Sequence, residues 1–528
     1  MSSFKDKLIV KTKDIEFDIF AVFLIIMSVY YGYRMFAYAP WYDELYTYNF
    51  FISRGPIYAG IHWPVPNNHL GYSALSGFFY ILTHNPYIAL RGVAYLCSIG
   101  NLIMLFMLGR KLMTKGFALI LPTVYAGTWQ VNNITVQGRG YSLSVNMMLI
   151  ACICLMHLCF DEKDKKRYYV LWAVSLCIGF YTVMTTLYWA VTVCLAALFC
   201  LLSMKQTKRL IRIIIASVFG AIGTLFAYSC VWLAIGSNLL VKDEASAYFG
   251  MSHFSMIAHH PLTSLMTGAE YMLATPYIQS VSSEGYVGAF FSHWYDIFNH
   301  MYSFGGAIAA VMIISVVLAG VTLIARHRSP DKGANGDVHT DGLAVLSWLV
   351  ICFALATPLT VFVQTKLPYV RVFTFYAVSI ALSAGYLLYV LFGALKPYFT
   401  YGIGIIVILL VFAQLLDADY NIPYGEKEAA ILEVFKQAGL DTYADSGTKI
   451  CLTDCDQEYM YRFLYDEYPV MYSMGEADMI VIDKEMLDPD AEYHWEFYYD
   501  YSSVDHDKLS GMKQLLRNTY FEIYLTEE

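Results

Sequence analysis

Eleven apolar runs of roughly twenty residues divide the chain between Ile19 and Leu416. A bilayer core takes about 20 apolar residues of helix to cross. Such a series therefore leaves little room for any fold other than a bundle of membrane-spanning helices. The runs cover residues 19–38, 87–108, 117–134, 141–160, 169–185, 187–204, 213–235, 301–325, 343–363, 371–392 and 401–416. Only 15% of the 528 residues are charged, against roughly 25% in soluble domains, so several water-soluble domains are excluded. The long apolar stretch after Asp18 is itself a span, and no cleavable signal peptide is expected.

Charge orients the bundle. Lys5, Lys7, Lys11 and Lys13 precede the first span, Arg110 and Lys111 follow the second, and Arg326, His327 and Arg328 follow the eighth. Lysine and arginine concentrate in cytoplasmic loops, which predicts a multi-pass plasma (cell) membrane protein with a cytoplasmic N-terminus. An odd span count then puts the C-terminal segment outside. The opposite loops carry only scattered Arg54, Arg91, Arg139, Lys242 and Lys366.

From Asp417 onward there are 8 basic and 26 acidic residues, whereas the preceding part has 26 basic and 17 acidic. Two domains are predicted: a membrane module over 1–416 and an acidic, soluble, extracytoplasmic domain over 417–528. In the module, a first outer loop spans about 39–84 and a long outer loop about 236–300. The tail alternates strand-like runs at 449–452 and 479–482 with helical periodicity at 426–438 and 457–465, the pattern of a small α/β domain. Nothing in this charge distribution fits a nucleic-acid partner. Nine of the 11 cysteines lie in apolar runs, as small buried hydrophobes do, while the state of Cys451 and Cys455 stays open.

The candidate chemistry lies on the outer side. Trp41-Tyr42-Asp43-Glu44-Leu45-Tyr46 places two carboxylates directly after the first span. Acids at that depth are costly to keep ionised and are often functional. Neighbours on a helix point about 100° apart, so the two acids divide their labour. One acts on substrate, and the other holds a backbone amide, an arginine or a cation. Pro66-Asn67-Asn68-His69 adds an imidazole and two amides, and Arg139 stands between two glycines before Tyr141. Lys366 and Arg371 flank Leu367-Pro368-Tyr369. Distant cations beside acids point to a phosphate ester held next to a base. The histidines at 253, 259, 260 and 293 match no compact zinc spacing, and there is no Walker-type loop or Gly-x-Ser-x-Gly elbow.

The Asp43-Glu44 pair, Asn67-Asn68-His69-Leu70, Arg139-Gly140-Tyr141-Ser142-Leu143 and Pro368-Tyr369-Val370-Arg371 together resemble the C-type (GT-C) membrane glycosyltransferases. The nearest group is the protein O-mannosyltransferases and lipid-A aminoarabinose transferases. The resemblance covers residues 1–416. It implies an α-helical polytopic fold and inverting transfer of a sugar from a polyprenyl-phosphate donor at the outer membrane face. The acceptor is a lipid, glycan or protein, and membrane lipids are the surrounding partner.

The same resemblance makes Asp43 the general base with Glu44 beside it. It places Arg139 and Arg371 on the leaving phosphate and has His69 shape the acceptor or sugar pocket; Lys366, Asn68 and Tyr141 join them as candidate substrate- or phosphate-binding residues from the residue pattern itself. Two positions depart from the pattern: many relatives have His-Pro-Pro where this chain has His69-Leu70-Gly71, and an acid where it has Gln137. No cofactor is required by this reading, and a divalent cation stays open. Its rivals are a flippase or exporter of lipid-linked glycans, and a scaffold displaying the acidic tail.

Overall fold

A computed structural model of the chain describes residues 14–62, 68–241, 250–274, 285–328, 338–416, 425–465 and 472–526. Lys5, Lys7, Lys11, Lys13, Pro66, Asn67 and Lys242 lie outside the described residues. Among those described, nine helices are long and apolar enough to cross a membrane, from Ile15–Ala37 to Pro397–Leu415. The protein is a multi-pass membrane protein. Helices are the form an apolar run takes in lipid, where every backbone polar group must find its partner within the segment.

The two other predicted spans are helical but differ in form. The run at 169–185 is the 17-residue helix Lys166–Thr182, which opens on charge at Lys166 and Arg167. The run at 117–134 is broken into Phe117–Leu119, Ile120–Ala126 and Trp129–Ile134. Thr128 interrupts it in an extended conformation, its hydroxyl donating to the Tyr125 carbonyl at 2.9 Å. Threonine competes with a helix in this way by bonding its own local backbone. Both predicted outer loops are largely helical, with Tyr42–Phe50, Pro56–Ile61 and Leu70–Thr83 in the first and Met251–His259, Pro261–Ala274 and Tyr286–Met301 in the second.

The chain forms two compact units. The first comprises residues 1–32, 60–72 and 93–422, and the second comprises 33–59, 73–92 and 423–528. Within the first, Thr207–Val241 packs against Lys166–Thr182 and Pro261–Ala274, and Thr186–Ser203 packs against Val338–Gln364.

The second unit is built on a four-stranded sheet: β1 (Ile450–Leu452), β2 (Met479–Asp483), β3 (Lys513–Arg517) and β4 (Phe521–Leu525), in the order β1-β2-β4-β3. β1 and β2 run parallel, and the β2–β4 and β3–β4 pairs are antiparallel. Helices Glu426–Ala438 and Cys455–Tyr465 cover it. Its core joins Phe435, Met460, Phe463, Val481 and Ile523 to Leu45, Tyr48, Ile52 and Leu90 from the N-terminal part of the chain. Every cysteine is free, Cys451 and Cys455 being buried in this unit.

A cluster of charged groups lies around Asp454 in that unit. The Lys427 ammonium is 2.6 Å from Asp483 Oδ2 and sits over the Phe497 ring at 4.7 Å. Asp454 is fully buried and caps Cys455–Tyr465 by accepting the Gln457 amide at 2.7 Å. Burial, and then the Asp456 charge, push the Asp454 carboxyl up to about 8. Burial and the Glu428 charge push Asp456 up to about 7.

Both values lie above the unfolded carboxylate range near 4. The folded state therefore favours the protonated acids. Their contribution to stability is fully present below about pH 4 and is lost as pH rises toward 7–8. Asp454→Asn keeps the capping oxygen and removes the charge. Thermal unfolding from pH 5 to pH 8 is expected to show a larger gain in Tm at pH 8 than at pH 5; equal shifts at both would contradict this account.

Candidate functional site

The acidic pair opens the helix Tyr42–Phe50, where acids in the first turn complement the positive end of the helix dipole. Glu44 closes the turn on itself, its Oε2 accepting the Trp41 amide at 3.2 Å. The same carboxylate is gripped by the Arg91 guanidinium: Nε donates to Oε1 at 2.8 Å and Nη2 to Oε2 at 2.7 Å. Both side chains are 2% exposed. The remaining Arg91 donors reach the Met35 and Tyr38 carbonyls from Nη1, at 2.9 and 2.8 Å, and the Ala39 carbonyl from Nη2 at 3.1 Å.

One planar fork thus binds a carboxylate on one side and the frayed end of Ile15–Ala37 on the other. Its geometry suits arginine and not lysine. Asp43 stands one residue earlier, half-buried, with Oδ2 screened from solvent, and its carbonyl accepts the Thr47 hydroxyl at 2.7 Å.

Arg139 and Arg371 belong to the other unit. After Trp129–Ile134 the chain leaves helical geometry until Tyr141, and this whole stretch is buried. Non-helical backbone between apolar helices survives where protein encloses it or where it lines a cavity. Arg139 sits in the stretch, 3% exposed. The next residue binds His69: the Gly140 amide donates to Nδ1 at 2.8 Å. Only glycine fits there, since a Cβ would stand 2.5 Å from Thr182 Cγ2 and 3.0 Å from His69 Nδ1.

The Tyr141 ring meets the imidazole edge-on at 4.9 Å. Burial, followed by the Arg139 and Arg371 charges, holds His69 well below the usual histidine range. An imidazole accepting at Nδ1 and kept neutral carries its proton on Nε2. The structure therefore groups His69, Arg139, Tyr141 and Arg371 around two positive charges that exclude a third.

Asn68 is buried beside this group, and its amide donates to the His62 carbonyl at 2.6 Å. Arg371 opens the segment Val370–Phe375 with its guanidinium 5.4 Å from the Tyr369 ring centroid. Lys366 is half-buried in the turn after Gln364. Among the described residues, no three His, Cys, Asp or Glu side chains converge as metal ligands. The Nδ1 atoms of His253 and His259 engage their own backbone neighbours instead, at the Gly250 amide and the Ser255 carbonyl; Glu284 lies outside the described residues.

Sequence reasoning passed over Arg91, treating it as a scattered loop cation. A signal was present, because an arginine five residues into the apolar helix Pro86–Leu112 needs an acid. Breaking a buried pair by removing one partner leaves an uncompensated charge and costs about 3–5 kcal/mol. Arg91→Met is expected to lower Tm sharply, and Glu44→Gln added to it is expected to recover part of the loss. A double variant no more stable than the single one would show that the pair is not what holds this turn.

No protein-family model matches the sequence, and no curated protein matches it in sequence. Solved structures do match in fold. ArnT from Cupriavidus metallidurans, bound to undecaprenyl phosphate, aligns with a TM-score of 0.51 at 10% identity, covering 96% of this chain and 97% of that one. The archaeal oligosaccharyltransferase AglB from Archaeoglobus fulgidus, in complex with an inhibitory peptide and a dolichol-phosphate, aligns with a TM-score of 0.46 at 11% identity. It covers 88% of this chain and 69% of that one. The chain shares a polytopic helical fold with that ArnT structure and carries a small C-terminal sheet.

Proposed function

We propose that the protein transfers a sugar from a polyprenyl-phosphate donor to a hydroxyl or amine of a lipid, glycan or protein acceptor, with inversion, at the outer face of the membrane. The observation that carries this reading is the grouping of Arg139 and Arg371 around a neutral His69. Two guanidinium charges, Arg139 in a buried non-helical turn and Arg371 half-buried in Val370–Phe375, suit an anion, and arginine forks match phosphate oxygens. The GT-C fold, shared with a protein solved with undecaprenyl phosphate, supports a lipid-linked donor. The outer face follows from the basic character of the opposite loops.

In the proposed step the acceptor oxygen or nitrogen attacks the anomeric carbon from the side opposite the phosphate. The bond from that carbon to the phosphate oxygen breaks, and the electron pair leaves on the lipid phosphate. Arg139 and Arg371 stabilise the charge that develops there, with Lys366 adding to the field. Asp43 takes the acceptor proton, a role that contributes typically 10²–10⁴-fold. His69, through Nε2–H, Asn68 and Tyr141 shape the pocket. Glu44 serves the reaction through Arg91, since its carboxylate is already engaged there. No cofactor takes part in this scheme, and transfer assayed with EDTA and with added Mg²⁺ checks a divalent cation.

The test uses the full chain in nanodiscs, a panel of undecaprenyl-phosphate-linked monosaccharides and a membrane extract as acceptor source. Release of undecaprenyl phosphate with sugar on an acceptor is the expected product. Asp43→Asn is expected to abolish transfer while the protein still folds, and wild-type transfer by it would remove Asp43 from the role of base. Arg139→Ala is expected to bind undecaprenyl phosphate about ten- to a hundredfold more weakly, the loss of one or two charged hydrogen bonds. Unchanged affinity would refute the phosphate role. Sugar that changes leaflet while still on its lipid would identify a flippase instead.

A further inference from the structure

The helix that carries Asp43 is held at both ends by the C-terminal segment of the same unit. At its start, Glu428 Oε1 accepts the Tyr42 amide at 2.7 Å across 386 residues of sequence. Glu428 is buried at 7% exposure in the first turn of Glu426–Ala438. Room for that carboxylate comes from Gly425, whose φ is +80° and whose Cβ would stand 2.5 Å from Glu428 Oε2 and 3.2 Å from Trp41 Cβ. At the far end, Asn49 Nδ2 donates to the Tyr459 carbonyl at 3.0 Å, and Arg462 Nη2 donates to the Asn49 carbonyl at 3.2 Å. Between the two ends, Leu45 and Tyr48 sit in the core beside Phe435 and Phe463.

From this geometry we infer that Glu428 is a positioning residue for Asp43: it fixes the Tyr42 amide, and with it the first helical turn from which the Asp43 carboxylate projects. The inference rests on Asp43 being the base proposed above. The free amides at a helix start can be satisfied by water, so capping alone does not call for a buried acid from a distant segment. Burying a carboxylate is unfavourable unless it is hydrogen-bonded, and here desolvation outweighs the other influences and raises the Glu428 pKa. The role assigned to that carboxylate is to set the helix start, because misplacing a catalytic group by about 1 Å can lower turnover about a hundredfold.

The test compares Glu428→Gln, Glu428→Asp and Glu428→Ala in the full chain in nanodiscs. Hydrogen exchange is read at the Tyr42 amide, and turnover with whichever undecaprenyl-phosphate sugar the panel identifies. Glutamine keeps the accepting oxygen and is expected to rescue both amide protection and kcat. Aspartate is one methylene short. It is expected to lose protection and to lower kcat about 10- to 100-fold with donor KM unchanged.

Should the alanine variant fail to fold, the glutamine and aspartate pair decides. Wild-type kcat in Glu428→Asp, with or without Tyr42 protection, overturns the inference, as does a loss of kcat with protection intact. Asp43→Asn is measured alongside. Transfer by that variant removes the base reading and the inference with it, whereas an inactive Asp43→Asn beside an unaffected Glu428→Asp removes the inference alone.

Discussion

The buried Glu44–Arg91 pair is the constraint on which the turn between Ile15–Ala37 and Tyr42–Phe50 depends. Three separate backbone problems meet there. The helix Ile15–Ala37 ends with carbonyls that have no partner within the helix, and Tyr42–Phe50 begins with free amides. The link between them, Tyr38 to Trp41, also leaves helical geometry. Arg91 answers the first with three contacts to carbonyls, and Glu44 answers part of the second through the Trp41 amide. Neither charge could be buried without the other, because the desolvation of an isolated ion in a low-dielectric interior exceeds any single hydrogen bond. The pair therefore holds in one place the turn that presents Asp43.

Once Glu44 is committed in this way, the adjacent carboxylates are no longer equivalent. One is spent on architecture, and its neighbour projects from the helix about 100° away. The C-terminal segment belongs to the same arrangement. Its sheet and two helices share a hydrophobic core with Leu45, Tyr48 and Ile52, its Glu428 and Arg462 hold the acidic helix by its backbone, and its Tyr459 carbonyl accepts the Asn49 side-chain amide. An appended solubility tag would have no need of either connection.

The arginine turn obeys a different rule. Residues 135–140 abandon the helix in a part of the chain that is otherwise apolar and helical. Thr128 begins the disruption and Gly140 completes it, since no other residue fits against Thr182 and His69. The neutral His69 is the electrostatic consequence, as two nearby guanidinium groups and burial leave no place for a third positive charge.

The membrane fold was largely legible in the sequence, because crossing lipid demands some twenty apolar residues in a row and leaves the backbone a single solution. The run at 141–160 is the helix Tyr141–Phe160, and the helix expected at 426–438 is Glu426–Ala438. The broken run at 117–134 was not legible: its hydropathy is that of a span, while its helix is interrupted at Thr128. Strands β3 and β4 also escaped notice, since a half-exposed edge strand such as Lys513–Arg517 carries little hydrophobic pattern.

Of the candidate site, the sequence by itself determined which residue types were out of place: two acids after a span, an arginine between glycines, a histidine after two asparagines. Tertiary structure alone decided their partners. That Glu44 belongs to Arg91, His69 to Gly140 and Tyr42 to Glu428 depends on contacts spanning 47, 71 and 386 residues. Hydrophobic periodicity is a local property of the chain, whereas a buried charge or amide is satisfied only by whatever the completed fold brings within hydrogen-bonding distance.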